Sequence, residues 1–326
     1  MVVSDWELID AQREPLKRFG NHPSLRFGLL WPTASGRDRW PNVLDPAAHA
    51  QLAVAAESAG FDYALLPDGR AGSGTGIANA GLRSVLWSVP VILATESIGV
   101  LTALRTTFMH PTHIARFGAH LDFMSGGRWG WYVTTGTGDD NARRYGLDGM
   151  PSLEARYAMA EEAISAVTAT WLVRRGEELR FAGNSFHIRG MVKRPPPVQA
   201  PRPLLVGGGS STPARRLAAT QLDWFVTQVL EPGALGRLVD DLRRGAETVG
   251  REQPVRVMVE IGVSADAARS PGTLDTILAG RDAGAAGFLL RVDDWTPAAI
   301  AEFSDLFALA LDAGAWVPPG ERAYEW

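Results

Sequence analysis

The chain has 326 residues, 46% of them hydrophobic, which is enough to bury a sizeable core, and a formal net charge of −4. No run of Lys and Arg exceeds two or three residues, so a nucleic-acid partner is not expected. There is no cysteine, which excludes disulfides, thiolate catalysis and cysteine-held metals. No apolar stretch reaches the roughly 20 residues that span a bilayer. The opening Met1-Val2-Val3-Ser4-Asp5-Trp6 has neither a basic start nor an apolar core. A cytoplasmic location, with no membrane contact, is therefore expected. The tryptophans number 11, and they suit either core packing or the walls of a pocket for a flat ligand.

Residues 1–24 are polar and irregular and are expected to form an N-terminal arm before a single domain over 25–326. Phe27 to Trp31 reads as a buried strand and Ala47 to Gly60 as a helix that Gly60 stops. Phe61 to Leu66 is a second strand. Arg83 to Ala94 is a helix that Pro90 bends or ends. Ile98 to Phe108 is a third strand, His113 to Met124 a helix stopped by Ser125-Gly126-Gly127, and Arg128 to Thr135 a fourth strand. Leu153 to Leu172 carries apolar residues at three- and four-residue spacing, which predicts a long helix. Leu179 to Ile188 reads as a hairpin around Gly183-Asn184. Residues 191–203, rich in proline, form a stiff connector, expected as a long loop rather than a domain boundary. Pro203 to Val206, Trp224 to Val229, Val255 to Val263 and Phe288 to Val292 are the last four strands. Helices over Pro213 to Thr220, Gly233 to Val249 and Pro297 to Leu311 go with them. Such alternation implies a parallel sheet covered by helices. About eight repeats favour a closed (β/α)8 TIM barrel over a doubly wound sheet.

Active groups of such a barrel lie on loops at the C-terminal strand ends. Leu205-Val206-Gly207-Gly208-Gly209-Ser210-Ser211-Thr212-Pro213 runs from a strand through three glycines into a helix start. Glycines let backbone approach an anion, and the first N–H groups of a helix attract one. The stretch is either a phosphate seat or an ordinary N-cap with a tight turn. Asp68 opens the glycine-rich loop 68–76 and is the best carboxylate candidate there. His110 and His113 follow the third strand; without a third ligand they predict no metal site. His110 is either an acid–base or hydrogen-bonding residue or the cap of the next helix. Trp129 to Asn141 gathers rings, hydroxyls and acids at the barrel mouth. No Gly-x-Ser-x-Gly elbow occurs, so a hydrolase triad has no support.

These residues also carry a family likeness. Thr106-Thr107-Phe108-x-His110-Pro111-x-His113-Ile114-Ala115-Arg116, then Leu121-Asp122-x-x-Ser125-Gly126-Gly127-Arg128-x-Gly130, resembles the bacterial luciferase-like flavin monooxygenases. Val133-Thr134-Thr135-Gly136, Asn141-Ala142-Arg143-Arg144-Tyr145-Gly146 and Arg156-Tyr157 look like the nitrilotriacetate, sulfone, alkane and pyrimidine monooxygenase branch. The likeness spans roughly residues 25–311. It implies a two-component monooxygenase that uses reduced FMN from a separate flavin reductase, with O2 and a small organic substrate. It places Asp68 near the flavin ring and Asn141 on a loop that reaches the cofactor. It sets Arg156 and Tyr157 at the ribityl phosphate and Gly209, Ser210 and Ser211 around the same group. His110 and Tyr132 are the candidate catalytic residues. Tyr132 departs from the family's usual Asn, and Ala103 stands where the pyrimidine branch carries Thr. The segment 264–287 is shorter than the helical excursion of relatives, leaving the pocket more open or completed by a partner subunit. The resemblance also implies a homodimer, with the apolar helix Leu153 to Leu172 as a candidate association surface. Two rival readings are a deazaflavin-dependent oxidoreductase on the same barrel and a non-catalytic flavin-binding subunit.

Overall fold

The computed structural model describes residues 16–17, 24–32, 40, 42, 44–68, 84–174, 176–191, 195–268 and 270–319. The glycine-rich loop 69–76 and most of the arm 1–24 lie outside the described residues. Eight strands pair in chain order: β1 (Arg26–Leu30), β2 (Tyr63–Leu66), β3 (Gly99–Arg105), β4 (Trp129–Thr134), β5 (Leu204–Gly208), β6 (Trp224–Thr227), β7 (Arg256–Gly262) and β8 (Gly287–Arg291). Every pairing is parallel, and β8 joins β1 with Leu290 opposite Leu29, which closes the barrel. Around it run α1 (Pro46–Ala59), α2 (Ser84–Ala94), α3 (Pro111–Met124), α4 (Asp139–Arg144), α5 (Leu153–Leu172), α6 (Thr212–Gln221) and α7 (Pro232–Thr248). The circuit ends with α8 (Ala265–Ala268), α9 (Pro271–Asp282), α10 (Pro297–Ala301) and α11 (Phe303–Asp312).

The near-continuous apolar strands follow from this closure, because both faces of a strand are buried. Successive side chains alternate between the two faces. Leu65, Leu101, Val206, Val226, Met258 and Leu289 form one cluster that fills the interior. Phe27, Leu29, Val100, Trp131, Val257 and Phe288 belong to the larger cluster under the helices.

The predicted hairpin is present: Glu178–Ala182 pairs antiparallel with His187–Met191. Gly60 ends α1 in the left-handed region, with φ of 100°. Several expectations need revision. The third strand stops at Arg105 rather than Phe108, and just beyond it the Thr107 hydroxyl donates to the Thr135 carbonyl at 2.7 Å. Of the two alternatives for Pro90, ending the helix is excluded, since it runs on to Ala94. A proline removes the bond to the carbonyl four residues back; that residue, Leu86, is 67% exposed, so water can serve it. The apolar residues of α5 face inward, with Ala160, Ala163, Ile164, Val167 and Trp171 buried against the barrel. This helix therefore does not offer the association surface its composition suggested.

The signature after α3 has a structural meaning. Asp122 is fully buried, and its carboxylate accepts hydrogen bonds from Val198 N, Gln199 N and Gln199 Nε2. It thereby ties the proline-rich connector to the end of α3, and Gln199 Nε2 also reaches the Trp129 carbonyl at the start of β4. Arg128 binds the carbonyls of Ile92, Thr95, Ile98 and Ser125, which locks the loop between α2 and β3 to the head of β4. Removing the carboxylate leaves buried donors unmatched, at about 1–3 kcal/mol apiece. Asp122→Ala should therefore lower the unfolding free energy by about 3 kcal/mol or more, read from the shift of the urea midpoint; a shift below about 1 kcal/mol would refute this anchoring role.

Candidate active site

A cleft of about 620 Å³ opens at the C-terminal ends of β2 to β7. Its far wall is the β5 terminus. A Cβ at Gly208 would lie 2.7 Å from the Tyr132 hydroxyl and 2.8 Å from the Val226 carbonyl oxygen, so only glycine lets the chain pass there. Gly209 has φ of 144°, a conformation that side-chain-bearing residues rarely adopt. Together they bring the exposed Ser210 and the start of α6 to the cleft edge.

Two ion pairs flank the opening. On the β2–β3 side, Asp68 Oδ2 lies 3.0 Å from Arg105 Nε, with both side chains below 10% exposed. Arg105 Nη2 also donates to the Asp68 carbonyl at 2.7 Å. On the β7 side, Glu260 accepts from Gln228 Nε2 at 3.2 Å and sits 3.5 Å from Arg291 Nε. Each acid is thus matched by a guanidinium. A third arginine, Arg156, donates from Nη1 to the Gly136 carbonyl. Its Nε is buried and has no hydrogen-bond partner among the described residues.

The structure brings together most of the residues singled out in the sequence. Asp68, Tyr132, Tyr157, Gly209 and Ser210 all line the cleft. The Tyr157 hydroxyl is 3.4 Å from where a Cβ of Gly209 would stand, so the head of α5 meets the β5 turn. Burial, with Glu260 and Tyr157 adding to it, pushes the Tyr132 phenol well above the usual tyrosine range. Tyr132 therefore faces the cleft as a neutral hydroxyl. Ser211 instead caps α6, its Oγ accepting from Ala214 N at 3.3 Å. Ser210 is the hydroxyl left facing the cleft. Asn141 is buried and donates from Nδ2 to the Thr137 carbonyl, fixing the loop after β4 rather than lining the cleft.

His110 lies outside the cleft lining. It is exposed, its Nδ1 accepts from Thr112 N at 3.2 Å as the N-cap of α3, and its ring packs edge-on to Phe186 of the hairpin. The capping alternative describes its observed contacts. Sequence reasoning passed over Arg105, Gln228 and Glu260. Glu260 had a signal, being a lone acid within the apolar run Val257-Met258-Val259-Glu260-Ile261. Among the described residues no group of three His, Asp or Glu side chains could hold a metal ion. No helix among them is long and apolar enough to cross a membrane.

Fold and cleft define an α/β-barrel whose working face is the C-terminal end of its strands. A sequence profile for luciferase-like monooxygenases matches residues 25–271, and the chain belongs to that family. Solved structures give the same barrel at low identity. EDTA monooxygenase from Chelativorans sp. BNC1 aligns with a TM-score of 0.77 and 18% identity, over 93% of this chain and 97% of that one. Riboflavin lyase, solved with modified FMN and riboflavin, gives 0.77 and 17% over 93% and 94%. An F420-dependent secondary alcohol dehydrogenase, solved with an F420–acetone adduct, gives 0.70 and 17% over 87% and 98%.

The position of His110 makes a direct expectation. His110→Ala removes a cap contact at an exposed helix start, where caps contribute about 1 kcal/mol. Thermal unfolding should show a loss of that order or less, and ligand affinity in the cleft should stay unchanged. A stable variant with altered cleft binding or product yield would instead place His110 in the chemistry.

Proposed function

We propose that this protein is a monooxygenase that binds reduced FMN, delivered by a separate flavin reductase, and uses O2 to oxidise a small organic molecule. The observation that carries the reading is the glycine turn at Gly208-Gly209, which brings Ser210 and the start of α6 to the cleft edge; Arg156, itself outside the lining, donates to the Gly136 carbonyl of the cleft wall. A glycine turn that opens a helix suits a phosphate monoester, and a nearby cation would strengthen such a seat. Arg156, the Ser210 hydroxyl and the N–H groups around Gly209 would hold that phosphate, with Tyr157 beside them. A 620 Å³ cleft lies within the usual 300–1,000 Å³ of cofactor sites.

The flavin supplies the oxygen chemistry when bound, and the protein supplies orientation and a dry setting. Tyr132, kept protonated, can donate a hydrogen bond at the centre of the cleft. Arg105 holds Asp68 as a paired carboxylate at its rim. The pairing fixes both side chains and keeps unbalanced charge away from the reacting atoms. A second reading, a deazaflavin-dependent oxidoreductase, is supported by the structural neighbour that uses F420. Its cofactor would use the same phosphate seat, so oxygen uptake and product analysis distinguish the two.

A charge-assisted hydrogen bond is worth about 1.5–3 kcal/mol, or roughly ten- to a hundredfold in affinity. Arg156→Ala should weaken FMN binding by that factor and leave riboflavin binding within about twofold, as measured by calorimetry. Equal losses for both ligands would remove Arg156 from the phosphate site. For assembly we propose a homodimer. Leu86 and Leu93 on α2 are 67% and 69% exposed, and Phe117, Phe123 and Met124 on the adjacent α3 are about 40% exposed. Light scattering at micromolar concentration should give twice the chain mass; a monomer there would contradict it.

A further inference from the structure

The layer of the barrel just above its apolar plug is polar on one side. Val226, Met258 and Leu289 belong to the interior cluster. Side chains two residues apart share a face of a strand, so Gln228, Glu260 and Arg291 stand above them, on or just past β6, β7 and β8. Gln228 and Glu260 line the cleft. Gln228 Nε2 donates to Glu260 Oε1 at 3.2 Å, and Arg291 Nε lies 3.5 Å from the same oxygen. A carboxylate can accept about four hydrogen bonds, so Glu260, with its side chain 18% exposed, keeps capacity for a ligand. The Tyr132 hydroxyl reaches the seam of β5 and β6, 2.7 Å from where a Gly208 Cβ would stand. Tyr132 stays protonated, with Glu260 contributing to that. A donor and an acceptor thus flank one stretch of the cleft floor.

Resting on the monooxygenase reading, we propose that Glu260 selects the substrate: its carboxylate accepts the N–H of a neutral ring amide whose carbonyl takes the Tyr132 hydroxyl. The protein supplies its own example of the fit, because the Gln228 carboxamide docks an N–H on Glu260. Neighbouring strands lie about 4.8 Å apart. A donor at the β5–β6 seam and an acceptor on β7 therefore suit the adjacent carbonyl and N–H of one small planar ring. Arg291 offsets the carboxylate's charge, which favours a neutral donor over an ammonium group. The substrate, rather than the cofactor, meets Glu260 because the ring of a reduced flavin carries negative charge, which a carboxylate repels. A sheltered acceptor also discriminates, since an analogue lacking the N–H leaves it unmatched.

Calorimetry with oxindole and N-methyloxindole tests this. The two differ only in the amide N–H, which a methyl group replaces. Wild-type protein should bind oxindole at least about tenfold more tightly than its N-methyl analogue. Glu260→Gln keeps the shape but removes the charge. It should weaken oxindole severalfold or more, while N-methyloxindole and FMN affinities stay within about twofold. Tyr132→Phe removes the donor to the carbonyl and should weaken both amides by a similar factor; it serves with the wild-type pair if Glu260→Gln does not fold. Equal or undetectable binding of the two amides to wild type overturns the proposal. So does a preference unchanged in Glu260→Gln, which would mark a steric effect of the methyl group, or unchanged affinities in Tyr132→Phe. A tenfold loss of FMN affinity in Glu260→Gln would place the carboxylate at the cofactor instead. Wild-type protein that prefers oxindole but binds no FMN would sink the cofactor reading and leave Glu260 its role.

Discussion

Parallel pairing of β8 with β1 is the constraint from which the rest of the structure follows. Once that seam closes, no sheet edge is left in the barrel and every inward side chain points at one axis. Leu65, Leu101, Val206, Met258 and Leu289 fill that axis and make it a solid plug. Polar groups can then occur only where strands leave the plug. At the C-terminal end those positions belong to Asp68, Arg105, Tyr132, Gln228 and Glu260, which is why residues distant in the chain share one cleft.

Electrostatic pairing then divides that end of the barrel. Carboxylates this sheltered are costly unless each meets a cation. Arg105 answers Asp68 and Arg291 answers Glu260. Arg156 differs from both, because among the described residues it meets a carbonyl rather than an acid. It meets the cleft wall at Gly136, while the β5 turn brings Ser210 and the start of α6 to the cleft edge.

The family signature around Asp122 and Arg128 works at the opposite end. Both side chains serve backbone groups: Asp122 holds the connector before β5, and Arg128 holds the loop before β3. These motifs revealed the family because they maintain the barrel, not because they touch a ligand. That explains why the fold was easier to read than the site. The strand and helix pattern followed from apolar periodicity and glycine stops, which are local. The β5 turn was readable for the same reason, since Gly207-Gly208-Gly209-Ser210 adjoins both the strand and the helix it connects.

His110 and Ser211 show where local reading left two answers open. Each precedes a helix and each could have faced the cleft; packing turned both into caps. Arg105 was passed over because its meaning depends on Asp68, 37 residues earlier. The amphipathic look of α5 was real, yet which surface it covered depended on the barrel beneath it. By itself, then, the sequence determined the eight-strand barrel, the absence of thiol chemistry and the glycine turn, since these rest on composition and near-neighbour spacing. Only the tertiary structure decided which charges pair, which histidine is a cap and which side chains line the cleft. Those outcomes depend on distances between strands that meet only when the sheet closes.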